Sequence, residues 1–229
     1  MLQTVLFDID TQSDFIDPDG KLYAAGAEEI LPRLNELFTL AERQRYTTIS
    51  TACSHVPNDP EFKKFAPHCI SGTPGQKRIM ADRPRLPLRV IPPDTKGGVI
   101  FETGIHYLVE KRELDPLSNP WLAALIKRGK LSHHQAIVFG VTTEYCVNFA
   151  VQGLLAAQIK TFVVTDAIKA IDPAAGERAM SEWRSKGATL LTTRELFEFF
   201  RWLGHMPGQG QESTVGNPRP KYPGHAPRH

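Results

Sequence analysis

The chain has 229 residues, of which 41% are hydrophobic and 23% charged, and its formal net charge at pH 7 is +2. This composition is typical of a soluble globular protein, and the length suits one α/β domain with a substantial core. The small, dispersed charge argues against nucleic acid or an anionic membrane as a partner. No apolar stretch approaches the roughly 18 residues that cross a bilayer.

The N-terminal sequence and the cysteines indicate the cellular compartment in which we expect the protein. The opening MLQTVLFDID reaches acidic residues too early for a secretory signal peptide. Cys53, Cys69 and Cys146 are odd in number and far apart, which argues against a disulfide framework. We therefore expect a cytoplasmic protein with reduced thiols.

Short apolar or β-branched runs alternate with amphipathic stretches along the chain. Strands are predicted over residues 4–10, 46–52, 98–102, 135–141, 160–167 and 188–193. Helices are predicted over residues 27–45, 118–130, 144–158, 174–187 and 193–204, with Ser118 and Asp172 as possible N-caps. Several strands lack alternation, as expected of parallel strands covered on both faces. The pattern predicts an α/β fold: a three-layer α/β/α sandwich with a mostly parallel sheet of about six strands.

Two segments break this alternation. Residues 54–97 are predicted to be largely irregular, and a long loop that carries His and Cys favours a functional role. Residues 205–229 are rich in Pro and Gly and are predicted to form a tail with little core of its own. The expected domain therefore covers residues 1–204.

Three reactive side chains follow predicted strands, at the edge where parallel sheets bind ligands. Asp10 closes the first strand, Lys111 lies about ten residues beyond the third, and Cys146 follows the fourth at the start of a helix. A helix N-terminus favours the thiolate form of a cysteine, and its free N–H groups could hold an oxyanion. Taken singly, Cys146 could instead be a packed helix residue, Asp10 a turn residue and Lys111 a surface lysine.

The strings around these residues resemble those of one superfamily. FDIDTQSDF resembles the DxQNDF opening of the isochorismatase-like cysteine hydrolases, which include nicotinamidases, carbamoylsarcosine hydrolases and isochorismatases. VEKRELDPLSNP resembles their lysine segment, and VFGVTTEYCVNFAVQGLLAAQIKTFVVTDA is similar to their cysteine segment. The motifs occur in the same order, and the resemblance extends from Leu2 to about Leu203.

This resemblance implies a catalytic triad of Cys146, Asp10 and Lys111. Cys146 would attack a carboxamide carbonyl and form an acyl-thioester, Asp10 would act as general base and then acid, and Lys111 would stabilise the charges. Family members also carry a cis peptide that matches Val141–Thr142 here. The N–H groups of Thr142 and Cys146 would form the oxyanion hole.

Asp8 and Asp14 are rivals for the role of Asp10. The alignment of DTQSDF with the family string favours Asp10 and suggests a structural role for Asp14.

The loop STACSHVPNDPEFKKFAPHCISGTPGQ resembles the metal-binding loop of nicotinamidases. His55 and His68 match its two histidines, but Cys53 occupies the position of the family's aspartate, and a further histidine is missing. Cys53, His55 and His68 could hold Zn or Mn, since cysteine is a good zinc ligand. Alternatively, the histidines organise the loop through hydrogen bonds. The triad itself needs no cofactor.

The nicotinamidase pattern also implies a small substrate pocket, lined by Phe15, Leu22, Phe65, Val141 and Tyr145. The leading functional hypothesis is a nicotinamidase-like amidase that acts on a small amide, as a homo-oligomer. Alternatives are an isochorismatase, which would not need the thiol, a hydrolase of maleamate, ureidoacrylate or N-carbamoyl substrates, and a non-catalytic binding module.

Overall fold

The computed structural model describes residues 2–202, which contain one parallel sheet with helices on both faces. Its strands run in the order β3-β4-β2-β1-β5-β6-β7, and every neighbouring pair is parallel. The strands are β1 Gln3–Ile9, β2 Thr47–Cys53, β3 Leu88–Ile91, β4 His106–Lys111, β5 His134–Val141, β6 Lys160–Lys169 and β7 Thr189–Leu191. The helices are α1 Ser13–Ile16, α2 Leu31–Gln44, α3 Pro120–Lys127, α4 Asn148–Ala156, α5 Pro173–Ser185 and α6 Thr193–Trp202.

The predicted α/β sandwich and five of its six strands are confirmed, as are all five predicted helices. The sheet has seven strands instead of six. The strand predicted over residues 98–102 is wrong, and the third and fourth strands lie on either side of it. Carbonyl groups of this segment accept hydrogen bonds from side chains instead of a neighbouring strand, as Trp121 donates to Val99 and Arg89 donates to Ile100.

Two helix starts show how local chemistry sets the boundaries. Asp172 caps α5 as predicted, its carboxylate accepting from the Ala174 N–H. The cap of α3 is Asn119 and not Ser118, because the Asn119 side chain accepts from the first free N–H groups of the helix. Ser118 instead ends a short 3₁₀ turn.

The core has two halves, one on each face of the sheet. Alternate residues of β1 point to opposite faces: Val5 and Phe7 pack with α3, α4 and α5, whereas Leu6 packs with α2 and α6. This alternation produces the three layers predicted from the sequence.

The sheet reverses its strand order at β1, which lies between β2 and β5. The carboxyl ends of β4, β2, β1 and β5 therefore meet around the point where open α/β sheets bind ligands. Within residues 2–202, no helix combines the length and apolar character needed to span a membrane. The predicted tail, residues 205–229, lies outside the described residues.

Candidate active site

Four reactive side chains converge at this edge of the sheet. Asp10 directly follows β1, and Cys53 and Lys111 are the last residues of β2 and β4. Cys146 lies in a π-helical turn, Thr143–Val147, that joins β5 to α4. Lys111 thus ends its own strand, which corrects the expectation that it lies about ten residues beyond one.

A buried ion pair forms the base of the site. Lys111 Nζ lies 2.8 Å from Asp10 Oδ2, and both side chains are fully buried. Thr51 Oγ1 donates to Asp10 Oδ1 at 2.6 Å, and Asp10 has a left-handed backbone with a φ of 48°. Asp is among the few residues other than glycine that adopt this conformation readily. The turn directs the carboxylate towards Lys111.

Two thiols share the ammonium of Lys111. Its Nζ lies 3.1 Å from Cys53 Sγ and 3.5 Å from Cys146 Sγ, and Cys53 Sγ lies 3.6 Å from Asp10 Oδ2. The reactive atoms of Asp10, Cys53 and Cys146 all lie within 4.8 Å of one another. The predicted Asp10, Lys111 and Cys146 are therefore brought together, and a second thiol joins them.

Burial and mutual contact shift the pKa values of these groups. Burial and the nearby Cys53 raise the pKa of Asp10 to about 6 against the opposing effect of Lys111. Burial opposes the charge of Lys111, but Asp10 and the thiols raise its pKa well above the ordinary value. The hydrogen bond between the thiols lowers the pKa of Cys53 and raises that of Cys146. The contact between the two thiols therefore makes Cys53 the more acidic and Cys146 the one that holds its proton more tightly.

The two rival aspartates have other partners. Asp8 accepts hydrogen bonds from Ser50 and Arg78 in the interior. Asp14 accepts from the backbone N–H groups of Cys69 and Lys21, and so holds the loop in place. Neither makes an ion pair with Lys111, whereas Asp10 does.

A narrow pocket opens onto the thiols. Its empty volume, counted together with the open solvent at its mouth, is about 270 Å³. The wall comprises Phe15, Leu22, Cys53, Glu61, Phe65, His68, Leu114, Thr142, Tyr145, Cys146 and Ile171. Four of the five predicted lining residues are among them. Val141 is not, because it is fully buried in the core at the end of β5.

Aromatic rings form part of the pocket wall. The rings of Phe65 and Tyr145 meet edge to face with centroids 5.3 Å apart, and Phe15 packs on His68 at 5.2 Å. Such rings supply apolar contact area at defined orientations. The pocket therefore offers apolar aromatic surface beside the two thiols.

The backbone before Cys146 brings β5 close to β1. The Val141–Thr142 peptide bond is cis. Gly140 has a φ of +116°, and a Cβ there would lie 2.1 Å from the Ile9 carbonyl oxygen. Only glycine fits this close approach to Ile9, the residue that directly precedes Asp10.

A second cluster of potential ligands shares Cys53 with the first. The ligand atoms of Cys53, His55 and His68 lie within 4.8 Å of one another. His68 Nδ1 lies 2.8 Å from the Ala66 carbonyl oxygen, so Nδ1 carries the proton and Nε2 is available as a ligand. Within residues 2–202, His55 Nε2 makes no hydrogen bond although it is buried.

Carboxylates surround this cluster. Glu61 Oε1 lies 3.9 Å from His55 Nε2 and 3.8 Å from His68 Nε2, and Asp59 Oδ2 lies 3.0 Å from His55 Nδ1. Burial opposes the charge of His55, but Cys53 and Asp59 raise its pKa to about 9. A thiolate, two imidazoles and a carboxylate are donors that zinc accepts, so the residues fit a divalent ion.

Comparison with known proteins identifies the family. The family model described as the isochorismatase domain matches residues 4–195. The chain belongs to the isochorismatase family. This membership confirms the family predicted from the sequence and shows that the protein is an enzyme of the hydrolase class.

Individual relatives agree with this assignment. A nicotinamidase from Acinetobacter baylyi is 26% identical over 209 residues, which cover 82% of this chain and 92% of that protein. A pyrazinamidase from Pyrococcus horikoshii in complex with zinc superposes with a TM-score of 0.66 at 22% identity, covering 83% of this chain and 99% of that one. PnC1 from L. infantum in complex with nicotinate gives a TM-score of 0.67 at 21% identity, covering 84% and 94%. These structures share the fold.

Sequence reasoning missed four features of this isochorismatase-family site. The contact of Cys53 with Lys111 depends on the neighbouring positions of β2 and β4, which no local string reveals. Glu61 also enters the pocket from the short 3₁₀ helix Pro60–Lys63, and Leu114 and Ile171 enter it from loops. Glu61 is the single acidic residue of PEFKKF and lies between the two histidines in sequence. This position is the signal from which it could have been inferred.

Proposed function

We propose that this enzyme hydrolyses the C–N bond of a small carboxamide, with Cys146 as nucleophile, Asp10 as general base and Lys111 as the stabilising cation. The observation that carries this proposal is the position of Lys111 Nζ, 2.8 Å from Asp10 Oδ2 and 3.5 Å from Cys146 Sγ. One buried ammonium thus contacts both the base and the nucleophile beneath the pocket. A base and a thiol held in this way are what nucleophilic catalysis requires.

In the first half of the reaction, Asp10 accepts the proton of the Cys146 thiol as Sγ attacks the amide carbonyl carbon. A pKa of about 6 makes Asp10 a stronger base than an ordinary carboxylate and matches it to work near neutral pH. The N–H groups of Thr142 and Cys146 receive the oxyanion. Asp10 then protonates the leaving nitrogen, the C–N bond breaks, and an acyl-thioester remains.

In the second half, water attacks the thioester while Asp10 accepts one of its protons. The C–S bond breaks, the carboxylic acid is released, and the proton returns to Cys146. Lys111 stays protonated throughout, because its pKa lies well above the ordinary value. The same three side chains therefore serve both halves.

The favoured substrate class is a small aromatic amide such as nicotinamide. A narrow pocket with Phe15, Phe65 and Tyr145 in its wall supports this class, as does the nicotinamidase from Acinetobacter baylyi among the relatives. Aliphatic amides such as maleamate are the alternative substrate class, and they would be hydrolysed at the C–N bond by the same reaction.

A divalent ion, with zinc preferred, would be held by Cys53, His55 and His68, with Glu61 close enough to contribute. The pyrazinamidase of Pyrococcus horikoshii is a zinc complex, which supports this choice. When bound, the ion would offer a Lewis-acid position for a polar atom of the substrate. The aromatic wall would orient the amide towards Cys146 in either case.

The remaining expectations concern the setting of the enzyme. All three cysteines are free and buried, which supports a reducing, cytoplasmic location. We further propose a homo-oligomer that acts on small molecules, with no nucleic acid or membrane partner.

An ammonia-release screen tests the proposal. Nicotinamide, pyrazinamide, maleamate, ureidoacrylate and N-carbamoyl compounds are supplied to the full-length protein after chelation, and again after addition of zinc or manganese. We expect release from the aromatic amides, with the acid as co-product. Turnover confined to the aliphatic compounds would reject the aromatic substrate class, and no ammonia under any condition would reject the amidase.

A further inference from the structure

We propose that Cys53 and Cys146 form a reversible intramolecular disulfide when the protein meets a peroxide, so that Cys53 is a redox partner of the nucleophile. No local string marks this pairing, because the two thiols are 93 positions apart, from 53 to 146. Cys53 ends β2 and Cys146 lies in the turn between β5 and α4, and the fold alone makes them neighbours.

The distance between the sulfurs supports the pairing. Both atoms belong to the cluster with Asp10 in which all reactive atoms lie within 4.8 Å of one another. A disulfide needs a separation of about 2.05 Å, so the sulfurs must close by less than roughly 3 Å. Lys111 contacts both of them, and its positive charge favours the thiolate that begins such chemistry.

The access of a small oxidant to the three thiols also favours the pairing of Cys53 with Cys146. Cys53 and Cys146 are only 2% and 4% exposed, but both belong to the pocket wall, so a small oxidant can reach them through the substrate's own route. Cys69 is fully buried, its sulfur faces the Gly75 carbonyl oxygen at 3.7 Å, and it is absent from this wall. The third thiol therefore provides a natural comparison.

The reaction consumes one hydrogen peroxide for each disulfide. One thiolate attacks the peroxide, the O–O bond breaks, and a sulfenic acid forms with loss of hydroxide, which takes up a proton to give water. The second thiol, as thiolate, attacks that sulfur, expels its oxygen as water and completes the S–S bond. Two thiols are oxidised in total, and peroxide is reduced to two waters.

The disulfide would affect two functions at once. It would occupy the Cys146 sulfur, and this consequence rests on the proposed function. It would also remove Cys53 from the cluster with His55 and His68, so that a disulfide and a metal held by Cys53 exclude each other. The disulfide itself does not depend on either function.

The test is peptide mapping by mass spectrometry of the chelated full-length protein after brief exposure to hydrogen peroxide, with alkylation of the remaining thiols. We expect a peptide pair linked through Cys53 and Cys146, with free thiols in denaturant falling from three to one. Dithiothreitol should restore all three. Zinc added beforehand should slow the loss of thiols, because it would occupy Cys53.

Single variants separate the pairing from general oxidation. Cys53→Ser and Cys146→Ser should each abolish the linked pair, whereas Cys69→Ser should retain it, with circular dichroism checking that each variant folds. Sulfinic acid on Cys146 without a linked pair, a link through Cys69, or a link between two chains would each overturn the proposal. Because peptide mass is measured and not turnover, a linked pair would still be detected in a protein that releases no ammonia from any amide.

Discussion

Two buried ion pairs lie close together in the sheet, and they differ in what surrounds them. Asp8 pairs with Arg78 at 2.6 Å, and Asp10 pairs with Lys111 at 2.8 Å. In the first pair, the guanidinium also donates to a backbone carbonyl and lies over the Phe38 ring. In the second, the ammonium also donates to a backbone carbonyl, that of Glu113, but its other contacts include two thiols that line the pocket.

The choice of cation explains much of this difference. The planar guanidinium of Arg78 stays charged and makes fixed contacts, which suit a structural ion pair. The compact ammonium of Lys111 lies within 3.5 Å of Asp10, Cys53 and Cys146 at the same time. We therefore interpret the Asp8–Arg78 pair as a support of the sheet and the Asp10–Lys111 pair as the chemical centre, and mutations should separate the two.

The largest expected effect is on turnover, at the chemical centre. Cys146→Ala removes the nucleophile and should lower kcat by at least about 10³-fold, as removal of a covalent catalyst does in other hydrolases. The free energy of unfolding should change far less, because the variant loses only a thiol. Steady-state ammonia release and urea denaturation measure the two quantities.

Cys69→Ala is the matched control, since it deletes a buried thiol from the loop that Asp14 holds. It should preserve turnover per folded molecule. Turnover by Cys146→Ala within tenfold of the wild type would contradict the assignment of the nucleophile.

The second expected effect is on the free energy of unfolding, and it concerns the supporting pair of Asp8 and Arg78. Arg78→Met leaves Asp8 buried without its cation and should lower the free energy of unfolding by about 3–5 kcal/mol. The molecules that remain folded should still turn over substrate, because Arg78 contacts neither Cys146 nor the pocket wall. Urea denaturation and activity corrected for the folded fraction provide the measurement.

An exposed ion pair provides the control for Arg78→Met. Arg194 pairs with Glu198 on α6, and their side chains are 87% and 52% exposed. Arg194→Met should cost less than about 1 kcal/mol. Equal losses of stability in the two variants would show that the buried Asp8–Arg78 pair stabilises the fold no more than an exposed ion pair does.

The two regions also differ in how far the sequence predicts them. The identities of Asp10, Lys111 and Cys146 can be inferred from local strings, because each residue belongs to a motif with its own flanking pattern. The position of Lys111 at the end of β4 cannot, since residues 98–102 look like a strand but bond to side chains such as Trp121. The sequence indicates Cys53 only as a possible metal ligand, because its contact with Lys111 depends on strand pairing.

The supporting pair is not predicted by the sequence at all. Asp8 stands out there only as a rival of Asp10, and Arg78 belongs to a segment predicted to be irregular. Their contact spans 70 positions of the chain, and no motif marks it. Interactions that depend on long-range packing leave this kind of gap in predictions from a single sequence.

The most gradual effect is a pH dependence next to the supporting pair. His106 lies on β4, where burial and the charge of Arg78 lower its pKa to about 3. Its Nε2 lies 2.9 Å from Ser50 Oγ, which itself donates to Asp8, so Nε2 carries a proton and donates to the hydroxyl. The folded protein therefore holds His106 in the neutral form.

The sign of the effect follows from the two protonation states. Between about pH 6.5 and pH 3, the unfolded chain binds a proton at His106 and the folded chain does not, so stability falls as the pH falls through this window. The contribution of one such group is at most about 1.4 kcal/mol per pH unit. It is fully present above pH 6.5, where both states are neutral.

His106→Gln tests this contribution, because its amide can still donate to Ser50 but does not titrate. Urea denaturation between pH 4 and pH 7 should give a shallower loss of stability for the variant than for the wild type. Other titrating groups, including Asp10 and His55, are common to both proteins and cancel in the difference. Parallel curves would mean that His106 is protonated in the folded protein, and that the supporting region tolerates a third charge beside Asp8 and Arg78.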